Sequence, residues 1–315
     1  MSKKPEESLR LYIYGPVPSR RLGFSLGIDV IPPKTCTLDC IYCQLGPTSD
    51  KTLRRNKYFS PDEILSQIKK KISSGQKVDY ITFSGSGEPT LNTNLGKLIR
   101  EIKKFTTIPV AVLTNGSLFI QKGVRKALMA ADLVVPSLDA ASQDTFEKIN
   151  RPCSPLKIEE IINGLRTFRR EYKGLMWLEV MLVKGVNDSP DHIQKLKEAI
   201  SRIEPDKIQL NTVIRPPAER TAHPLNPEEL EKIKKIFGKN CEIIAEFDKK
   251  AQESLAENLE LAILAMVQRR PVTLSDISTS LGRHRNEILK YLNLLLEQGK
   301  IQAVVHKDLT YFEPI

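Results

Sequence analysis

The chain has 315 residues, 40% of them apolar and 27% charged, with five cysteines and a net charge of +10. That length is long for one compact core and suits a barrel with a small appendage, and the composition is ordinary for a soluble globular protein. No apolar run approaches the roughly 20 residues of a bilayer-spanning helix, the polar start "MSKKPEESLR" is no secretory signal, and three of the five cysteines fall within eight residues. That usage excludes a disulfide framework and reads as reduced thiols in a cytoplasm. The charge is uneven. From Glu253 onward seven Lys/Arg face eight Asp/Glu, whereas the first 252 residues carry 41 against 30. Any general attraction to phosphate therefore belongs to the main part of the chain.

In chain order, an apolar strand "FSLGIDVIP" (Phe24 to Pro32) feeds a cysteine loop. A helix opens at "SPDEILSQIKKKI", where Ser60 is placed as N-cap, Pro61 as first helical residue and Glu63 as capping-box partner. The strand "VDYITFSG" follows, then a helix from about Asn94 to Phe105, the strand "IPVAVLTNG", and a helix from about Phe119 to Ala130. The strand "DLVVPSLDA", a helix around Ile158 to Tyr172, the strand "GLMWLEVMLVKGVND", a helix from Asp191 to Ile203 and "PDKIQLNTVIRPP" complete the series. Helices alternating with short Val/Ile/Leu-rich strands predict an α/β fold with a parallel sheet covered by helices. Six strands over about 190 residues are too few for a closed eight-stranded barrel, so the expectation is a partial (β/α)6 TIM-type barrel, with ligands at the C-terminal ends of the strands. Residues from about Asn226 to Phe247 read as one more helix and a closing strand, "CEIIAEF". The charged stretch "DKKAQES" then separates residues 1–248 from a second unit at 253–315.

Cys36, Cys40 and Cys43 form a Cys-x3-Cys-x2-Cys pattern in "KTCTLDCIYCQLG". A structural zinc site needs four ligands, and no histidine or fourth cysteine is near in sequence. Three thiolates on a cubane of four irons leave one iron free for a substrate or cofactor; the alternative is a zinc site borrowing Cys153 or Cys241. With the aromatic Tyr42 just before the third cysteine, the pattern resembles that of the radical S-adenosylmethionine (SAM) superfamily, and the resemblance extends from about Tyr14 to Arg215. It implies a 4Fe–4S cluster whose open iron chelates SAM, reductive cleavage of SAM to a 5′-deoxyadenosyl radical, and hydrogen abstraction from a substrate. It also implies a reducing partner such as flavodoxin or ferredoxin.

Further motifs occur in the order this family has them. "SGSGEPT" resembles its Gly-Gly-Glu-Pro segment, with Gly85, Ser86, Gly87 and Glu88 placed at the methionyl amino group of SAM; Ser86 stands where glycine is commonest. Glycines allow close backbone approach and a carboxylate suits an ammonium. Asn115 in "TNG" and Ser137 and Asp139 in "PSLDA" are expected near the ribose and carboxylate of SAM, and Tyr42 near the adenine. Ordinary turn chemistry would account for the same Asn and Asp. Asn187 and Asp188 in "KGVND" are expected to cap the next helix. "YGPVPSRRLG" and "NTVIRPPAE" resemble a subgroup loosely grouped with wyosine-type tRNA modification enzymes, and they make Arg20, Arg21 and Arg215 candidate contacts to a substrate phosphate or carboxylate. The additional cysteine set of the archaeal wyosine-forming enzymes has no counterpart here beyond Cys153 and Cys241.

The last segment reads as a winged helix-turn-helix. Leu255, Leu259, Ala262, Ile263 and Met266 have helical spacing, Thr273 caps a short helix to Leu281, Gly282 makes the turn, and Gly299 ends a second helix. "KIQAVVHKDLTYFE" can fold back as a wing, and Arg283, His284, Arg285 and Lys290 would lie at or near the recognition helix, offering contacts to RNA, DNA or a partner protein. The functional expectation is a radical SAM enzyme acting on RNA or a nucleotide. The alternatives are an enzyme forming a glycyl radical on a partner protein, or a DNA-binding regulator that senses the cluster or SAM.

Overall fold

The structure is a computed structural model that describes residues 12–19, 21–214, 217–244, 251–269, 271–281, 285–306 and 309–315. Strand β1 (Ile13–Ser19) pairs antiparallel with β2 (Gly23–Ile28), and a short ladder joins β3 (Thr35–Cys36) to β4 (Asp50–Lys51). Helices and strands then alternate: α1 (Pro61–Ile72), β5 (Tyr80–Phe83), α2 (Leu95–Phe105), β6 (Val110–Thr114), α3 (Lys122–Leu128) and β7 (Leu133–Pro136). Two helices, α4 (Gln143–Asn150) and α5 (Ile158–Glu171), precede β8 (Leu175–Leu182). The barrel part ends with α6 (Pro190–Ile203), β9 (Lys207–Thr212), α7 (Pro227–Phe237) and β10 (Cys241–Ile243).

One eight-stranded sheet results, in the order β1-β2-β5-β6-β7-β8-β9-β10, parallel from β2 to β10. Among the described residues its two edges, β1 and β10, do not pair with each other. The sheet is thus open, as a partial barrel requires, but six is not its strand number. The six expected strands are β2 and β5 to β9; β10 is the closing strand, and β1 is an addition. Its "GPVPS" sequence argues against a central strand, yet proline is tolerated on an edge, which is where β1 lies.

Local chemistry corrects three further expectations. Ser60 precedes α1 as its N-cap residue but makes no side-chain capping bond, and Glu63 instead accepts a hydrogen bond from the Tyr12 hydroxyl (2.7 Å). The helix expected from Phe119 breaks into a 3-10 turn (Ser117–Ile120) and α3. Phe119 is buried edge-on against Phe168 of α5 at 4.8 Å, and Gly164 lets α5 approach so closely that a Cβ there would lie 2.7 Å from the Phe119 backbone. Tertiary packing outweighs helix propensity at that point. Before α6 the cap is Ser189, whose Oγ accepts from the His192 N–H (3.3 Å), rather than Asn187 or Asp188.

The main core lies between the sheet and its helices. A small cluster of Leu22, Ala111, Leu133 and Val135, with Tyr80, Leu113 and Trp177 against it, fills the inner side. The C-terminal part comprises α8 (Ala251–Arg269), β11 (Val272–Thr273), α9 (Leu274–Leu281), α10 (Arg285–Glu297), β12 (Ile301–His306) and β13 (Leu309–Pro314). Its antiparallel sheet has the order β11-β13-β12. Thr273 Oγ1 accepts from the Asp276 N–H (3.1 Å) while Asp276 accepts from the Thr273 N–H (2.8 Å), which fixes the start of α9. Leu259, Ile263, Ile277, Ile288, Leu292 and Phe312 form a separate core that shares no residue with the first. Among the described residues no helix is long and apolar enough to cross a membrane.

Candidate functional site

The cysteine loop leaves the sheet at the C-terminal end of β2 and is tied at both ends. The β3–β4 ladder closes it, Thr48 N–H donates to the Asp39 carboxylate (2.7 Å), and Thr52 N–H donates to the Cys36 carbonyl (2.9 Å). The end of α4 holds its middle, where Asp39 and Ile41 N–H groups donate to the Asn150 and Ile149 carbonyls at 2.9 and 3.0 Å. Gly87 packs on the same loop: a Cβ there would meet the Thr35 carbonyl at 2.1 Å. This glycine is required by loop-to-loop contact, whatever else it serves.

Each of the three sulfurs faces an N–H donor. Asn115 Nδ2 lies 3.4 Å from Cys36 Sγ, Asn150 Nδ2 3.3 Å from Cys40 Sγ, and Lys34 Nζ 3.8 Å from Cys43 Sγ. Such donors favour sulfur as thiolate, the form that ligates iron. Burial acts in the opposite sense. It pushes the Cys36 thiol up to about 12, aided by the Glu88 charge, and raises Cys40 as well, aided by Asp139. These thiols therefore need a cation to ionise, so loading with metal releases protons. Among the described residues no three His, Cys, Asp or Glu side chains are grouped to hold one ion. A cubane makes no such demand, since each thiolate takes a different iron. The donor set fits the cluster.

The other candidate residues surround these sulfurs. Glu88 is buried; its Oε1 accepts from Thr90 N–H (3.0 Å), Thr90 Oγ1 (2.5 Å) and Thr114 Oγ1 (2.6 Å), and its Oε2 accepts from Asn115 N–H (2.7 Å). Desolvation still raises its carboxyl above the usual range. Asp139 is equally buried and pushed up to about 6 by desolvation, although Tyr42 O–H, Asn150 Nδ2 (2.8 Å) and Met181 N–H (2.9 Å) all donate to it. Ser137 lines a narrow crevice with Asn115, Asp139 and Asn150. Ser86 hydrogen-bonds Asp29, and Gly85, at φ 136°, lies so close that a Cβ would sit 2.8 Å from the Asp29 carboxyl carbon.

Arg21 is held elsewhere. Its Nη1 donates to Glu179 (2.8 Å) and Gln209 (3.0 Å) on β8 and β9, so an anion would have to displace Glu179 to reach it. Arg20, Arg215, Arg283, Gly282 and His284 lie outside the described residues, as do the side chains of Arg285 and Lys290 on α10. Cys153 is anchored beside the cysteine loop by its N–H bond to the Thr37 carbonyl (2.9 Å), and Cys241 is buried at the start of β10. Lys34 and Asn150 escape sequence reasoning, since no turn or spacing marks either one. Asn187 has a role other than capping: its amide donates to the Asp139 and Met181 carbonyls, both at 2.8 Å, and so clamps the loop after β8 to the loop after β7.

Known proteins resemble this chain in sequence and in fold. Residues 30–200 match the Radical SAM superfamily. The chain is 37% identical over 295 residues to a UPF0026 protein of Methanocaldococcus jannaschii, covering 91% of each. It is 43% identical over 303 residues to a Brachyspira hyodysenteriae protein named GTPase Obg, with 95% of this chain covered but only 45% of that relative's length. In fold it is similar to a radical SAM methyltransferase from Sphaerobacter thermophilus, at TM-score 0.53 and 18% identity, over 70% of this chain and 66% of the other.

Proposed function

The chain belongs to the radical SAM superfamily and is an enzyme of that class, working with a 4Fe–4S cluster and SAM, and on that premise we propose that it abstracts hydrogen from an RNA or nucleotide substrate. Cys36, Cys40 and Cys43 hold the cluster, with Asn115, Asn150 and Lys34 directed at their sulfurs. The backbone of Gly85, Ser86 and Gly87 and the second oxygen of Glu88 receive the SAM ammonium. Asn115, Ser137 and Asp139 face its ribose and carboxylate, and Tyr42 faces its adenine. When bound and reduced, the cluster supplies the electron that cleaves SAM. The protein orients SAM at the strand ends and keeps water from the reacting centre. A reductant is required, and one of flavodoxin or ferredoxin type suits the role.

One observation carries this reading: two of the sulfur ligands are each coupled to a SAM-binding candidate through a shared asparagine. Asn115 bonds both Cys36 and Glu88, and Asn150 bonds both Cys40 and Asp139. A cluster that served only as a redox sensor would need no such coupling. The RNA or nucleotide class is supported by the excess of Lys/Arg in the first 252 residues and by the resemblance of two motifs, "YGPVPSRRLG" and "NTVIRPPAE", to the subgroup loosely grouped with wyosine-type enzymes. We read α8 to α10 and the β11-β13-β12 sheet as a winged helix-turn-helix that tethers the substrate. The test adds size-fractionated cellular RNA to reduced enzyme and SAM. Faster release of 5′-deoxyadenosine and an altered nucleoside mass after RNA digestion are expected. Acceleration by a protein fraction alone would reassign the substrate to a glycyl-radical partner.

A further inference from the structure

The barrel has two ends, and the cysteine loop occupies only one. At the other lie the N-terminal ends of the strands and the C-terminal turns of the helices. Those turns are basic in α1 (Lys69, Lys70, Lys71), α2 (Lys103, Lys104), α3 (Arg125, Lys126), α5 (Arg169, Arg170) and α7 (Lys234, Lys235). The helix dipole explains cations at a helix end. It does not explain what they form between α5 and α6, where a groove of about 720 Å³ is walled by Arg166, Arg169, Arg170, Lys173 and Arg202. Glu204 and Asp206 are the carboxylates that line it.

Two of these cations are already engaged: Arg169 pairs with Asp206 (2.7 Å) and Arg202 with Glu159. Arg166, Arg170 and Lys173 have no ion pair among the described residues. Arg166 and Arg170 stand four apart on one helix, neighbours of like charge that disfavour the helix unless an anion lies between them. We infer that this groove binds the phosphodiester backbone of a nucleic acid, at the end of the barrel opposite the cysteine loop. Guanidinium forks match phosphate oxygens in pairs, and successive cations along a groove match a linear polyanion. A recessed groove suits a strand better than a flat anionic bilayer. The inference is independent of which group the enzyme modifies, because it concerns binding alone.

The test uses the full-length chain and a fluorescein-labelled, mixed-sequence single-stranded RNA, followed by anisotropy between about 50 and 200 mM salt. The wild type is expected to bind, with affinity falling steeply as salt rises. The triple variant Arg166→Glu, Arg170→Glu, Lys173→Glu is expected to lose at least about tenfold in affinity. Its log–log salt slope should flatten by about two, at about 0.7 for each phosphate that is no longer neutralised. Its release of 5′-deoxyadenosine from SAM alone should be unchanged. If the charge reversal impairs folding, Arg166→Gln with Arg170→Gln should give a smaller loss in the same direction at an unchanged melting temperature. Wild-type affinity and salt slope in the folded variants would overturn the inference. So would wild-type binding to phosphatidylserine vesicles or polyglutamate but not to the RNA.

Discussion

Asn150 illustrates how much of the site rests on single side chains. Its amide has two hydrogens, and Cys40 Sγ and the Asp139 carboxylate lie at 3.3 and 2.8 Å to receive them. Replacing Asn150 by Ala should leave Asp139 short of a donor and cost roughly 1.5–3 kcal/mol of stability by urea unfolding. It should also lower the reduction potential of the loaded cluster, because a sulfur without its N–H donor holds more negative charge. An unchanged potential in an anaerobic redox titration would remove Asn150 from the cluster's surroundings. Glu88 is the second case. Its four internal bonds mean that Glu88→Ala should weaken SAM binding about ten- to a hundredfold by calorimetry and also cost about 2–4 kcal/mol of stability. Full SAM affinity in the variant would take Glu88 out of the site. The three cysteines were legible because their spacing is rare and local. Asn150 was not, because its partners lie as far as 110 positions away in sequence.

The elements were legible wherever apolar strands and helical segments alternate without interruption. Strands β5 to β9 and helices α2, α5 and α6 fall where the short Val/Ile/Leu-rich runs and the helical segments between them put them. α7 carries a complete capping box, with Asn226 accepting from Glu229 N–H (2.8 Å) and Glu229 from Asn226 N–H (2.8 Å). The errors arose where a contact distant in sequence takes over. Tyr12 claims Glu63 from the α1 cap, and α5 breaks the helix that would begin at Phe119. Gly87 lies where the turn after β5 meets the cysteine loop. A methyl group there would meet the Thr35 carbonyl at 2.1 Å, so Gly87→Ala must displace either the cysteine loop or the turn after β5. Overpacking of this kind costs about 1–3 kcal/mol, and iron content after reconstitution should fall with it. Full iron loading at wild-type stability would show that the two loops are not packed as described.

At the scale of the whole molecule, the two hydrophobic cores share no residue, which predicts separable folding. A chain cut after Lys250 should keep its cluster and slow SAM cleavage while acting less on the true substrate. Substrate turnover at the full-length rate would rule out a recruiting role for the C-terminal part. The sequence read as a whole conveyed the α/β class and the largely parallel sheet, because both follow from the order of elements. It did not mark the basic groove at the far end: Arg166, Arg169, Arg170 and Lys173 are close neighbours in sequence, but only the packing of α5 against α6 sets Arg202 opposite them and makes a groove.

We propose above all that three thiols at one end of the sheet hold a cluster that cleaves SAM. Quantifying iron, sulfide and 5′-deoxyadenosine in anaerobically reconstituted, reduced protein, beside the Cys36→Ala, Cys40→Ala, Cys43→Ala triple variant, tests it most directly. About four irons and four sulfides per chain and accumulating 5′-deoxyadenosine are expected in the wild type. The variant should show neither cluster absorbance nor product. Cluster absorbance retained by the triple variant, or a fully loaded wild type that releases no 5′-deoxyadenosine from SAM, would contradict it.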